Sequence, residues 1–202
     1  VQLRFLFSVF GVDLAFGAMR LDWVLMALAI AAMFAGSVVA IFQDDIKRML
    51  AYSSVAQIGY MVLGLSLASV TGLTGGLVHL FNHAIMKCGL FLVMAAVMLR
   101  VGSTRLDAFA GLGRRMPITM AAFVVAGLSL IGIPGTAGFI SKWYLINAAL
   151  EHGALGIALI VMFNTGFLVL TGTWMILALS YIIRKMPFIA RSSSSILYYM
   201  HP

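Results

Sequence analysis

GGLVHLFNHAIMKCGLFLVMAAVML, from Gly75 to Leu99, places His79, His83 and Lys87 four residues apart inside an otherwise apolar run. A four-residue step turns an α-helix by about 400°, so the three side chains form one slowly drifting stripe. The run is 25 residues long, enough to cross a hydrocarbon core of ~30 Å. A charged group at that depth is costly, and such residues as a rule line a path for protons or ions. The stretch therefore predicts a membrane-spanning helix with a titratable seam.

The rest of the chain agrees with a membrane setting. Its 202 residues are 63% hydrophobic and only 9% charged, whereas globular chains carry roughly 25% charged residues. The expected class is an all-α polytopic membrane protein. The net charge of +7 could suggest nucleic acid, but its placement argues against that partner. Nine of the 13 basic residues fall in three short hydrophilic stretches: Lys47 and Arg48; Arg100, Arg105, Arg114 and Arg115; Arg184, Lys185 and Arg191. That is the pattern of cytoplasmic loops, not of a phosphate-binding groove. The single Cys88 excludes a disulfide within the chain and reads as a small packing residue. No cleavable signal is visible. Val1 is not an initiator Met, and the chain reads as a fragment that opens inside a helix.

Residues 1–12 read as the tail of a helix. Complete spans are expected at about Trp23–Phe42, Ser54–Val70 and Gly76–Leu99, with polar connections at QDDIKR and from Arg100 to Pro117. The apolar stretch from Ile118 to Leu150 has 33 residues. As one straight helix it would be about 50 Å long, yet two full spans plus a turn need more than about 40 residues. Its middle, GIPGTAGF, carries Gly132, Pro134, Gly135 and Gly138. Proline removes a backbone donor and clashes with the preceding turn, and glycine permits non-helical angles. Two architectures compete, a short hairpin and one interrupted helix crossing once. A single crossing puts Arg184, Lys185 and Arg191 on the same face as the other basic loops, as the positive-inside bias asks. The single broken crossing is therefore preferred. Glu151 and His152 then lie on the outer face, and a last helix runs from about Leu155 to Ile183, making about five spans plus the partial one. No internal repeat is evident.

Two lysines, Lys87 and Lys142, lie within apolar segments without an evident carboxylate on their own helices. Desolvation disfavours a charged ammonium, and histidine titrates near neutrality, so a lysine flanked by histidines at helical spacing can pass protons. Water can bridge steps of about 6 Å. Lys142 stands eight residues past Pro134, on the second half of the broken helix. Freed backbone groups are tolerated at that depth where they line a hydrated cavity, and broken helices recur at ion sites in transporters. Plainer roles stand beside these. A lone intramembrane histidine can simply bond a carbonyl of the next helix, and Lys142 can snorkel if its half-helix is short. The methionines and phenylalanines read as packing or lipid-facing residues.

All six acids (Asp13, Asp22, Asp44, Asp45, Asp107, Glu151) lie at or near segment ends, so no carboxylate cage for a hard cation is expected in the membrane. There is no Gly-rich phosphate loop and no cysteine set for an iron–sulfur cluster. No cofactor, metal or catalytic chemistry is assigned to the chain.

Four runs resemble one family. QDDIKRMLAYSSVAQIGYMVLGL (43–65), HLFNHAIMKCGLFL (79–92), GLGRRMP (111–117) and GLSLIGIPGTAGFISKWYLINAALEHG (127–153) are similar to the antiporter-like subunits of respiratory complex I. That group includes the D-type component of Mrp-type cation/proton antiporters and the membrane subunits of related hydrogenases. The ISKWYL wording looks closest to the D-type branch of the Mrp antiporters. The resemblance implies the C-terminal half of a fourteen-helix fold, with residues 1–155 as a partial proton-translocating domain. It implies that His79, His83 and Lys87 match the central proton-relay positions and that Lys142 matches the lysine of the broken helix. Asp44, Lys47 and Arg48 match a DxKR turn that anchors a loop in the cytoplasm. The family's first half-channel, with its glutamate–lysine pair, has no counterpart here. Residues 156–183 form a last helix departing from the family pattern, and 184–202 a basic, serine-rich tail.

The preferred function on this reading is a proton-translocating, D-type subunit of a monovalent cation/proton antiporter; the alternatives are a proton-pumping subunit of a complex I (NADH-quinone oxidoreductase) or hydrogenase assembly, and an inactive scaffold remnant. The implied partners are other membrane subunits, the lipid of a cell inner membrane, and protons with sodium as the candidate exchanged cation. Loops 43–53 and 100–117 and the C-terminal tail are expected in the cytoplasm.

Overall fold

The computed structural model of the chain describes residues 5–163. Six helices carry the architecture: α1 (Leu21–Ile41), α2 (Ile46–Ser66), α3 (Val70–Val101), α4 (Pro117–Ile131), α5 (Ala137–Glu151) and α6 (Leu155–Phe163). Before them the chain winds through two π-helical segments, Phe5–Phe10 and Asp13–Ala18, separated at Gly11 with φ +77°. Leu6 and Ala15 pack there against Leu65 of α2. Among the described residues there is no β-strand beyond one isolated bridge, Asp45 to Arg105.

α1, α2 and α3 are each long and apolar enough to cross a membrane. The expected spans are present, with shifted ends. α2 begins directly after the polar turn, because the Asp45 side chain accepts the Arg48 amide at 3.0 Å and caps the first turn. α3 starts six residues before the expected Gly76, where Ser69 accepts the Gly72 amide at 3.0 Å. Glycines line the contact between α2 and α3. A Cβ on Gly64 would lie 2.5 Å from the Gly72 carbonyl oxygen, and one on Gly76 would lie 3.1 Å from that of Met61. Small residues let α2 and α3 approach backbone to backbone, which matters in lipid, where side-chain burial between helices gives little hydrophobic gain. Cys88, expected as a packing residue, is exposed on α3.

α4 and α5 make one interrupted crossing. Residues 132–136 are non-helical, with Gly132 at φ +90° and Gly135 at φ +89°, angles costly for any residue with a Cβ. Met120 and Phe123 pack beside Val93 and Val97, and Leu130 beside Leu90. Past the break, Asn82 donates to the Ala137 carbonyl at 2.7 Å, Ser141 meets His79, and Gly75 abuts Tyr144 and Leu145. As the chain advances from 120 to 145, its partner on α3 retreats from 97 to 75 without turning back. A hairpin would reverse that order halfway. Gly138 falls in the first turn of α5 rather than in the gap. A Cβ there would stand 1.8 Å from the Ser129 carbonyl oxygen, so its glycine serves the close approach of the two half-helices.

α6 packs Ala158 and Val161 against Met26, Ala29 and Met33 of α1 and Ala148 and Ala149 of α5. Its expected continuation to Ile183 and the tail 184–202 lie outside the described residues.

Candidate functional site

The seam read from α3 faces inward. His79 is wholly buried, Lys87 and Lys142 are nearly so, and His83 is half-buried. α2, the most enclosed of the three long helices, supplies most of the polar groups that receive them. The Lys87 amine donates to the Leu50 carbonyl and the Ser53 hydroxyl, both at 2.5 Å. Ser53 in turn donates to Leu50 O at 2.9 Å, as Ser54 does at 3.0 Å. A buried amine must find acceptors, and here it takes a helix carbonyl already shared with two hydroxyls.

His79 is bound from two sides. Its Nδ1 lies 2.8 Å from Ser141 Oγ on α5, and its Nε2 lies 2.9 Å from Gln57 Oε1 on α2. The His83 ring stacks one turn along α3 with centroids 6.4 Å apart, and its Nε2 is buried with no hydrogen-bond partner among the described residues. The Tyr60 ring sits 5.6 Å from His79 and 4.9 Å from the Lys142 amine, inside the range of a cation–π contact. Lys87, His83, His79, Tyr60 and Lys142 thus follow one another through the bundle. The ring-to-ring steps exceed direct hydrogen-bond reach, and water is what can bridge them.

Lys142 is placed by the break. Its amine donates to Ile131 O at 2.9 Å and Leu130 O at 3.3 Å. These are last-turn carbonyls of α4, which an ended helix leaves unpaired and which carry the negative end of its dipole. Lys142 does not snorkel out, since its residue is only 2% exposed. Among the described residues the two ion pairs are Arg20–Asp22 and Arg105–Asp107, so neither buried lysine has a carboxylate.

In the turn that holds Asp44, Lys47 and Arg48, the bonded carboxylate is that of the neighbour Asp45, where the DxKR spacing begins. Asp44 contributes its main-chain carbonyl, which accepts from Leu106 N at 2.9 Å, and Ile46 N donates to Thr104 O at 3.0 Å. The carboxylate that ties the turn down is that of Asp45, which accepts from Thr104 Oγ1 and from the Arg48 amide. Those two bonds, the Thr104 hydroxyl first, hold the Asp45 carboxyl below its ordinary value of 3.8. Lys47 and Arg48 have exposed side chains, and Arg48 anchors through its amide. The two basic loops, 43–48 and 100–115, therefore meet on one side of the bundle.

Gln57, Tyr60, Ser53, Ser141 and Asn82 were not singled out from sequence. Gln57 carried a usable signal, since an amide in mid-span must be bonded or pay for its desolvation. Ser141 carried none, because a helix accommodates a lone serine by bonding its own backbone.

A bundle of apolar helices, one broken at depth and seamed with amines and imidazoles, defines a polytopic helical membrane protein. Residues 4–171 match the family described as "NADH:quinone oxidoreductase/Mrp antiporter, TM". The chain belongs to that family. It is 51% identical over 127 residues to NADH-quinone oxidoreductase subunit N of Desulforudis audaxviator, covering 63% of this chain and 25% of that protein. It is 39% identical over 170 residues to F(420)H(2) dehydrogenase subunit N of Methanosarcina mazei, covering 79% of this chain and 34% of that protein. The Mrp complex of Dietzia sp. DQ12-45-1b contains a chain of similar structure, with TM-score 0.68 and 37% identity over 73% of this chain and 28% of that one. The chain thus spans between a quarter and about a third of the curated relatives it matches.

Proposed function

We propose that the chain is part of a proton-translocating subunit of a multi-subunit membrane complex, and that His79, His83, Lys87 and Lys142 pass the proton. The observation that carries this reading is the succession of Lys87, His83, His79, Tyr60 and Lys142 through the bundle, with no carboxylate paired to either lysine among the described residues. Lys87 and Lys142 hold charge at the two ends, and the histidines hand it between them through water. Other subunits supply the drive by changing the charge near one end. The two basic loops, which share a side, lie in the cytoplasm of a cell inner membrane under the positive-inside bias.

The identity to NADH-quinone oxidoreductase subunit N favours an assembly driven by electron transfer. The likeness to the Mrp complex favours a second reading, exchange of protons for a monovalent cation such as sodium. Proton flux in vesicles carrying the intact complex separates them. Flux that starts with an electron donor supports the first, and flux that starts with sodium supports the second. Silence under both conditions would leave an inactive scaffold and refute the proposal.

A further inference from the structure

The two bonds to His79 turn on where one hydroxyl hydrogen points. Ser141 Oγ lies 3.0 Å from Gly138 O and 2.8 Å from His79 Nδ1, and its single proton can serve only one of them at a time. Gln57 Oε1 accepts from the other ring nitrogen, Nε2. With the hydroxyl proton on Gly138 O both ring nitrogens face acceptors, which suits imidazolium; with it on Nδ1 the ring is satisfied as the neutral Nε2–H tautomer. When the ring gives up one proton, one partner must turn into a donor. Swinging the Gln57 amide through a half-turn moves heavy atoms in a close-packed interior, whereas turning the Ser141 hydroxyl moves one hydrogen about a single bond.

We propose that the Ser141 hydroxyl is a proton-linked switch for His79, turning between Gly138 O and His79 Nδ1, with Gln57 holding the other proton on Nε2. In the protonated state Nδ1–H donates to Ser141 Oγ and Ser141 donates to Gly138 O. In the neutral state the proton on Nδ1 has left to water, Ser141 donates to Nδ1, and Gly138 O loses its hydroxyl partner. Gly138 O is also the carbonyl to which α-helix geometry directs the Lys142 amide. The charge state of a histidine on α3 is thereby reported to the first turn of α5, which carries Lys142. Ser141 and Gln57 are positioning residues, and the inference rests on the relay reading given above. The other titratable groups about the ring are His83 on α3, Lys142 on α5 and Tyr60 on α2.

Proton flux against pH, measured on the intact complex, tests this with Ser141→Ala, Ser141→Thr and Gln57→Met, and with Lys142→Ala as reference. Ser141→Ala and Gln57→Met are expected to cut flux roughly tenfold, the scale of one lost hydrogen bond, and to move the pH profile. Ser141→Thr keeps the hydroxyl and should restore most of the flux and the original profile. If Lys142→Ala is silent while Ser141→Ala and Gln57→Met keep wild-type flux and profile, the switch is wrong and the relay stands. If Lys142→Ala pumps as wild type, both are wrong. A variant that fails to assemble is replaced by 15N spectroscopy of the wild-type complex, labelled at histidine in this chain alone. Neutral His79 should be a single Nε2–H tautomer, and an Nδ1–H form or an even mixture would overturn the proposal.

Discussion

α3 and the α4–α5 pair cross the same bundle in opposite directions, and each buries one lysine, but they solve the problem of its acceptors differently. α3 runs without interruption for 32 residues, so its own carbonyls are engaged along the span. Lys87 must therefore reach to α2, where it shares Leu50 O with Ser53 and Ser54. The broken crossing instead makes acceptors of its own, because ending α4 at Ile131 frees the carbonyls that Lys142 takes. Interrupting a helix at depth thus creates a cation site, whereas leaving it whole obliges the cation to borrow one.

The sharpest way to break that contrast is at the close approach of the half-helices. Gly138→Ala puts a methyl against the Ser129 carbonyl and should cost about 3 kcal/mol or more, read as a fall in thermal stability of the purified complex. Gly89→Ala on unbroken α3 meets nothing within 4 Å and should stabilise by roughly 0.5–1 kcal/mol. Equal effects at the two sites would undo the distinction.

Next in size are the lysines themselves. Lys142→Met strips two helix-end carbonyls of their donor and should cost about 1–3 kcal/mol. Lys87→Met leaves Leu50 O with its two serine hydroxyls and should cost less than about 1 kcal/mol once the buried charge is gone. Chemical denaturation of the two variants in detergent checks the order.

The smallest effect lies outside the membrane span, at Asp45. Its carboxyl is held below 3.8 in the folded chain, so the unfolded chain binds the proton more readily. The stabilisation is full above the unfolded value and fades as pH falls through the lower folded one. Asp45→Ala should cost about 1 kcal/mol at pH 7, and the gap to wild type should narrow as pH falls below the ordinary carboxylate value of 3.8. A gap independent of pH would remove the carboxylate from the account.

Much of this was legible because membranes make sequence periodicity and charge placement explicit. Pro134 with Gly132 and Gly135 marked the break, and the basic loops favoured the single crossing before any contact was known. α2 and α3 start earlier than expected because Asp45 and Ser69 cap their first turns. The DxKR spacing with Lys47 and Arg48 begins at Asp45, not Asp44, so the sequence already pointed to the acid that caps α2. The bonds from His79 to Gln57 and Ser141 span 22 and 62 residues, and one sequence holds no record of which polar residues on separate helices will meet.

The most direct test of the central claim is proton flux through the intact complex carrying Lys142→Met, with assembly verified by co-purification of its partner subunits. A buried line of amines and imidazoles that ends at Lys142 predicts flux lost in an assembled complex. Wild-type flux from that complex would contradict it.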